Sequence, residues 1–350
     1  MRCFELEKNF LLDLLETESP SGFEFNYQKK IMKHMKPFVD SFITNHSGNV
    51  ISVLNNEADI KILLAAHSDE IGLIISEILP NGKAKVTAAG GVRASMYIGH
   101  KVNAITLDGR KVPGVCEVFD GCFDKKISAD ELRIDFGCET EEETLTLVKP
   151  GDYIIFDDVY RNLFGNKFTA KALDDKIGCF IILEALKKAR GLETENGVYA
   201  LTSVGEETTM RGANFAGFMV DPSVAIVVDV TFETNTRENV GCGDVKLGGG
   251  PVLCHSSIVN KKLNRMLEDI ALKHNISVQY EIAVGRTGTD ADRIYYTKDG
   301  IPTALVSIPL RYMHSPSEIC DLRDVENCID LLAYFIKEVN DVNFNPYEEI

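Results

Sequence analysis

Six histidine and carboxylate residues lie at the boundaries of regular segments, in a chain that contains only seven histidines among 350 residues. They are His67, Asp174, Glu206, Glu207, Asp229 and His314. Each alone has an ordinary explanation, since acids cap helices and turns and a histidine is often satisfied within a core. Together they match what a pair of divalent ions needs: one histidine and one terminal carboxylate for each ion, and one carboxylate that bridges both. The sequence therefore predicts a metal site.

The adjacent residues Glu206 and Glu207 allow a division of roles. Successive side chains on a segment leaving a strand point in opposite directions. One glutamate is therefore expected to bind a metal ion while the other faces the reacting water as a general base.

The apolar pattern predicts an α/β core that positions these residues. The run from 60 to 66 predicts a buried strand that ends at His67. Later helical patterns alternate with apolar strand patterns, as in an α/β fold. The helical patterns lie near 175–190, 258–274 and 323–340, and the strands near 197–204, 224–230 and 303–308. Because His67, Glu206, Glu207 and Asp229 follow the last residues of predicted strands, we expect one site at the carboxyl ends of the sheet.

The segment from about 70 to 165 differs from the rest of the chain in its sequence pattern. Short alternating stretches punctuated by glycine and aspartate predict a small all-β module with few long helices. The chain is therefore expected to consist of a catalytic α/β domain, residues 1–69 and 166–350, interrupted at 70–165 by a β-barrel-like insert that serves oligomerisation.

Composition and charge exclude several classes of function. Hydrophobic residues make up 45% and charged residues 26%, as in an ordinary globular protein. A net charge of -16 with no basic stripe argues against nucleic-acid binding. No apolar run approaches the roughly 18 residues of a membrane span. The opening segment lacks the features of a signal peptide, and the nine cysteines include no CxxC pair, so we expect a cytoplasmic protein with reduced thiols.

Six ordered segments resemble the signature blocks of the tetrahedral aminopeptidases, a family of two-metal peptidases that includes glutamyl aminopeptidases and proteins named as cellulases. The segments are AAHSDEIGL (65–73), KALDDKIG (171–178), SVGEETTMRGA (203–213), VVDVT (227–231), GTDAD (288–292) and IPLRYMHSPSE (308–318). The resemblance covers nearly the whole chain, and it implies a mixed-sheet exopeptidase core with helices on both faces and a PDZ-like insert.

The resemblance also implies a role for each site residue. His67 and Asp229 become the terminal ligands of one metal ion, Glu207 and His314 those of the other, and Asp174 bridges the two. Glu206 becomes the general base, and Asp69 the acid that orients the imidazole of His67. The cofactors implied are two divalent ions per subunit, namely zinc, cobalt or manganese.

Further expectations follow from the same resemblance. The Asp174–Asp175 peptide bond should be cis. The substrates should be short peptides cut at the N-terminus, and the partner a further copy of the chain, most simply in a tetrahedral dodecamer with contacts made by the insert. Two departures from the family pattern, Lys176 in place of arginine and the segment TTMRGA, touch no expected ligand.

Three competing functions remain open at this stage. A related two-metal deacylase would use the same residues. An endoglucanase would need metal-free carboxylates and aromatic platforms, and the chain has no tryptophan. An inactive scaffold would be expected to have lost a ligand or the base, and all are present. Arg286 is either a partner for an acidic first residue of the substrate or a surface arginine.

Overall fold

The computed structural model describes residues 4–123, 126–157, 160–234, 243–344 and 347. The α-helices are α1 (Phe4–Leu15), α2 (Phe25–Met35), α3 (Glu141–Leu147), α4 (Leu173–Gly191), α5 (Glu206–Thr209), α6 (Arg211–Val220), α7 (Lys261–Lys273), α8 (Ala291–Ile294) and α9 (Leu322–Glu338). The first strands are β1 (Ser41–Thr44), β2 (Val50–Leu54), β3 (Lys61–His67), β4 (Gly72–Ile78), β5 (Ala84–Ala89), β6 (Lys101–Ile105), β7 (Lys111–Cys116), β8 (Arg133–Asp135) and β9 (Tyr153–Phe156). The later strands are β10 (Arg161–Asn162), β11 (Lys167–Ala170), β12 (Gly197–Ser203), β13 (Val224–Phe232), β14 (Val252–Ser256), β15 (Gln279–Ala283), β16 (Thr303–Leu310) and β17 (Glu318–Asp321).

A mixed sheet of eight strands forms the centre of the fold, in the order β1-β2-β12-β3-β13-β16-β14-β15. The strands β12, β3, β13 and β16 are parallel to one another. Their carboxyl ends therefore lie along one edge, and β3 delivers His67 there as its last residue. This confirms the expected α/β core with a mixed sheet.

Helices cover both faces of this sheet. On one face, α4 and α9 pack over alternate residues of β3 and β13 such as Leu64 and Val228. On the other face, α6 and α8 pack over the intervening residues, Leu63 and Val227 among them. The alternation follows from the two-residue period of a strand, and it buries both faces. The odd-numbered side chains of β13, including Asp229, consequently share the face of α6 and α8.

A closed six-stranded barrel, in the order β4-β5-β8-β7-β6-β9, follows β3 in the chain. It has its own core, which includes Ile75, Val86, Ile134 and Ile154. The barrel thus explains the short alternating stretches in the sequence between about 70 and 165. A separate three-stranded sheet, β10-β11-β17, connects the return from the barrel to the strand that precedes α9.

The structure corrects two local expectations. Asp229 lies inside β13, which continues to Phe232 in register with β16, rather than after the strand. Glu206 and Glu207 begin the helical turn α5 rather than an extended segment, so the alternation argument for their directions is wrong. The cause is Gly205, whose φ of 68° reverses the chain directly after β12.

Two broader features concern the described residues. None of their helices has both the length and the apolar character needed to cross a membrane. Seven of the nine cysteines lie in the described part of the chain, and all seven are free thiols, six of them buried.

Candidate functional site

Asp174 lies between two histidine rings. Its Oδ1 atom is 3.0 Å from Nε2 of His67, and its Oδ2 atom is 3.1 Å from Nε2 of His314. The two oxygens of one carboxylate thus face two different imidazoles. Asp174 is buried, with 6% of its surface exposed, so this arrangement is shielded from bulk water.

Backbone carbonyls fix the tautomer of both rings. Nδ1 of His67 lies 3.0 Å from the carbonyl oxygen of Asp69, and Nδ1 of His314 lies 3.1 Å from that of Gly91. A carbonyl oxygen only accepts, so each Nδ1 carries a proton and donates it. Nε2 is therefore the nitrogen of each ring that would bind an ion, after losing the proton that it now directs at Asp174.

Two further carboxylates complete the cluster. Oε1 of Glu207 lies 3.4 Å from Nε2 of His314. Ligand atoms of His67, Asp174 and Glu207 lie within 4.8 Å of one another, as do those of His67, Asp175 and Asp229. Both oxygens of Asp175 already accept backbone N–H groups, from His67 at 3.2 Å and from Gly178 at 3.1 Å. Asp229 is therefore the freer carboxylate of the second group.

Asp69 joins the end of β3 to the turn that follows β12. Its Oδ1 atom accepts the N–H of Glu206 at 2.9 Å, and its Oδ2 atom accepts the N–H of Glu207 at 3.2 Å. The ring of His67 makes its shorter contact with the backbone of Asp69, while the carboxylate lies 3.5 Å away. Asp69 thus positions both glutamates directly and the imidazole mainly through its main chain.

The carboxyl group of Glu206 lies close enough to the cluster to feel the charges of His67 and Asp229. Its Oε1 atom is buried and accepts no hydrogen bond within the described part of the chain. Burial raises the pKa of Glu206 to about 10, with His67 opposing and the charges of Asp229 and Asp290 reinforcing the shift. The carboxyl group therefore holds a proton strongly as long as no cation offsets the neighbouring acids.

Burial and repulsion between acids raise the pKa of several carboxyl groups in the cluster. Burial raises the pKa of Asp229 well above its ordinary value, and the charge of Asp174 adds to the effect. Burial likewise raises the pKa of Glu207, again with Asp174. Burial acts in the same direction on Asp174, but His314 and His67 outweigh it and hold the pKa of that carboxyl well below its usual range. Divalent cations would relieve this crowding, because each neutralises two carboxylates.

Sequence reasoning missed a residue that holds two candidate ligands in place. Glu318 is buried, and its two oxygens accept the N–H of His314 at 2.7 Å and the N–H of Asp174 at 3.1 Å. In the sequence, Glu318 could have been noticed as a glutamate that begins a buried strand four residues after His314. Its hydrogen bond with the N–H of Asp174 joins residues 144 positions apart, and sequence spacing does not predict such a contact.

Two other contributions also come from distant segments. Gly91, in the loop after barrel strand β5, contacts the ring of His314, and a methyl group at Gly91 would lie 2.7 Å from its Cε1 atom. Asp290 accepts a short hydrogen bond from the Ser203 hydroxyl, while its Oδ1 atom is buried without a partner among the residues described. Both belong near the site, yet neither was singled out in the sequence.

The segment that carries Asp174 contains a cis peptide bond, and it also contains Lys176, where the family pattern has arginine. The Asp174–Asp175 peptide bond is cis, as expected. Lys176 is fully buried, and its Nζ atom donates to Oε1 of Glu70 at 2.8 Å and to the carbonyl of Thr17 at 2.8 Å. Lys171 also pairs with Glu70, at 2.5 Å. The lysine in place of arginine is thus satisfied by a buried ion network behind the site.

Two cavities meet at Glu206, Glu207 and His314. The outer one, about 420 Å³, is bordered by Arg286, Arg293 and Tyr296. The inner one, about 390 Å³, leads from Asp229 toward β15 and β16. Arg286 is exposed and borders the outer cavity. The remaining histidines (34, 46, 100, 255 and 274) border neither cavity.

Comparison with known proteins gives a consistent result. A family model described as M42 glutamyl aminopeptidase matches residues 48–331. The lysyl aminopeptidase of Pyrococcus furiosus is 32% identical over 342 residues, which are 95% of this chain and 97% of the relative. The TET aminopeptidase of the marine sediment archaeon Thaumarchaeota archaeon SCGC AB-539-E09 has a TM-score of 0.89 at 30% identity, covering 96% of this chain and 98% of that one. The TET1 peptidase of Pyrococcus horikoshii has a TM-score of 0.85 at 30% identity, covering 95% and 99%.

These matches confirm the resemblance that the six segments indicate. The family match extends over most of the chain, and the relatives cover nearly all of it with the same fold. The chain belongs to the M42 glutamyl aminopeptidase family, whose members are hydrolases that act on peptides.

Proposed function

We propose that this protein is a metal-dependent aminopeptidase that removes N-terminal residues from short peptides, using two divalent ions and Glu206 as general base. One observation carries the proposal: the two oxygens of Asp174 face the Nε2 atoms of two different histidines. Each of those rings is already committed through Nδ1 to a carbonyl. This arrangement suits a carboxylate that bridges two cations.

The donor set fits such a pair. His67 and Asp229 would hold one ion and Glu207 and His314 the other, with Asp174 shared. Two donor atoms of a tetrahedral site with bonds of about 2.0–2.1 Å lie about 3.4 Å apart. The distances between donor atoms here are close to that value: 3.0 Å and 3.1 Å at Asp174, and 3.4 Å at Glu207. Imidazole and carboxylate ligands suit zinc, cobalt or manganese.

Bound divalent ions supply Lewis acidity, which polarises a peptide carbonyl and makes water nucleophilic near neutral pH. Glu206 accepts a proton from the attacking water at Oε1, the buried oxygen with no partner among the residues described. The same carboxyl group then delivers that proton to the nitrogen of the departing peptide. Asp69 keeps Glu206 in place through the backbone of α5.

The restriction to N-termini follows from charge. A free α-amino group is cationic and lies favourably among the acids of the cluster, whereas an internal peptide bond offers no such group. A deacylase would instead have to accept a blocked or acylated nitrogen. The family membership of the chain supports the first alternative.

The test is a panel of aminoacyl p-nitroanilides, assayed with enzyme stripped of metal and then supplied with zinc, cobalt or manganese. We expect no turnover without metal and recovery with at least one of the three ions. N-acetylated aminoacyl substrates should remain uncut. Cleavage of the acetylated substrates at a comparable rate would indicate a deacylase and contradict the proposal.

We also propose a closed assembly of identical subunits, most simply a tetrahedral dodecamer. The TET1 relative is described as assembling into a tetrahedron or a large octahedral shell. The insert supports this arrangement because it exposes several large apolar side chains, whose burial against another subunit would be favourable. They are Leu107, Val115, Val118, Phe123 and Leu145, each at least 45% exposed.

Light scattering on metal-loaded and chelated protein tests the assembly. Replacing the insert at 70–165 by a Gly/Ser linker should abolish the large species. A monomeric and fully active wild type would contradict the assembly, and dodecamers without the insert would place the contacts elsewhere.

A further inference from the structure

The inner cavity reaches buried residues of the central sheet, whereas the outer cavity is bordered by more exposed residues. Leu305 and Ser307 line the inner cavity and are 2% and 1% exposed. The outer cavity is bordered by Tyr296, which is 69% exposed. If the chain is an exopeptidase, the inner cavity is the place for the first substrate residue, because it runs from the cluster to buried residues, and the outer cavity holds the rest of the peptide.

A single carboxylate lies in the inner cavity away from the metal cluster. Glu281 on β15 accepts a hydrogen bond from the Ser307 hydroxyl at 2.9 Å and a second, at 2.5 Å, from the Thr231 hydroxyl. The two hydroxyl groups fix both of its oxygens. Ser307, which donates to Glu281, lies opposite the candidate ligand Asp229 in the β13–β16 register.

The distance from the cluster to Glu281 suits a long side chain. Asp229 and Thr231 are two residues apart on one strand, which separates them by about 6.6 Å. A lysine stem reaches about 6 Å from Cα to Nζ, by the lengths of its single bonds. A side chain that starts near Asp229 therefore reaches the carboxylate held by Thr231.

The walls and the charge of the cavity are complementary to a cationic side chain. Ile282, Ala283 and Leu305 line the same cavity and provide apolar surface. Across the described ranges, no lysine, arginine or histidine forms an ion pair with Glu281. Burial raises the pKa of the Glu281 carboxyl, with the two hydroxyl hydrogen bonds opposing. An incoming ammonium group would compensate for this desolvation, and the apolar walls would cover its methylene stem.

We propose that the inner cavity selects lysine or arginine as the first residue of the substrate, and that Glu281 is the residue that determines this specificity. The inference rests on the proposed aminopeptidase function. The competing explanation is that Glu281 is an inward-pointing charge on the edge strand β15 that only prevents pairing with other sheets.

Norleucine separates the two explanations, because it has the lysine stem without the ammonium group. We would measure kcat/KM for lysyl, arginyl, norleucyl and leucyl p-nitroanilides with metal-loaded wild type, Glu281→Gln and the control Glu268→Gln. Glu268 is a glutamate on α7 that does not line the cavity. Calorimetric binding of free L-lysine and L-norleucine gives a second measurement that does not depend on turnover.

The wild type should prefer lysyl over norleucyl substrate by about 10- to 100-fold, the range expected for hydrogen bonds to a charged group. Glu281→Gln should remove this preference and leave norleucyl turnover within about threefold, which also shows that the variant folds. Glu268→Gln should behave as wild type. A wild type that cuts norleucyl substrate as well as lysyl, or a preference for lysine that survives Glu281→Gln, would overturn the inference alone. Failure to cut any of the four substrates would overturn the inference too, and the proposed function would fall only if the wider panel of aminoacyl p-nitroanilides also stayed uncut.

Discussion

The carboxylate of Asp69 accepts the backbone N–H of Glu206 at 2.9 Å, which joins the end of β3 to the turn that carries the candidate base. The N–H of Glu207 bonds to the other oxygen of the same carboxylate. One buried side chain therefore sets the position of both adjacent glutamates. This relationship places Asp69 behind the reacting groups, where it acts through the backbone of α5.

Asp69→Asn should test that positioning role. An asparagine offers one acceptor oxygen and places an NH₂ group against the second N–H, so α5 must shift. Losses of this kind outside the ligand set typically reach about 10- to 100-fold in activity or metal affinity. We expect a fall of that size in kcat/KM, measured together with metal affinity. Unchanged values for both would contradict the role, and Asp13→Asn at the surface serves as the control.

Asp174→Ala should remove metal and activity together. A bridging carboxylate serves both ions, and without it two cations would repel each other across the gap. Metal analysis after dialysis should find neither ion tightly bound. Retention of two ions by this variant would show that Asp174 does not bridge, whatever its effect on turnover.

Gly91→Ala should show that the barrel loop supports the site. The new methyl group would lie 2.7 Å from Cε1 of His314, whose ring is held between Gly91 and Asp174, so the ring must move. We expect weaker metal binding and about a tenfold loss of kcat. Gly191→Ala is the matched control, because nothing lies within 4 Å of its added methyl group. Equal behaviour of the two variants would refute the contact.

Glu70→Gln should destabilise the fold. Burial alone raises the pKa of Glu70, but Lys171 and Lys176 outweigh it and lower the pKa to about 2. Removing this charge leaves two buried lysines without their anion, at a cost of about 3–5 kcal/mol in the free energy of unfolding. Urea unfolding should show this loss, while Asp13→Asn at the exposed Lys30 pair should change stability by less than about 1 kcal/mol.

The pH dependence of that loss has a defined sign. The folded pKa of Glu70 lies below its unfolded value of about 4.3, so its contribution is complete above that pH. It disappears as the pH falls toward about 2. The stability difference between wild type and Glu70→Gln should therefore narrow only in acid, and a constant difference down to pH 2 would contradict the assignment.

The parts of this fold that sequence alone predicts are those set by local periodicity. The buried run before His67 predicts β3 and its carboxyl end, and the glycine-rich alternation after it predicts a β segment. A β-barrel-like insert was expected at 70–165, but alternation does not say which strands pair, so it does not give the strand order β4-β5-β8-β7-β6-β9. The alternation argument for Glu206 and Glu207 was wrong because the turn at Gly205 replaces the extended geometry with a helical one.

The candidate site, too, could be predicted only in part from the sequence. The expected ligands His67, Asp174 and His314 do lie together, yet their supports come from residues remote in the chain. Gly91 and His314 are 223 positions apart, and Glu318 reaches Asp174 across 144. Such contacts depend on tertiary packing, to which spacing in the sequence gives no direct access.

Metal analysis of Glu206→Gln, combined with its turnover on an aminoacyl p-nitroanilide, tests the two-metal account most directly. The variant removes the proposed base while keeping every proposed ligand. We predict two divalent ions per subunit, as in the wild type, with turnover reduced by at least about 100-fold. Loss of the metals with the activity would show that Glu206 is a ligand, and turnover near the wild-type rate would show that it is not the base.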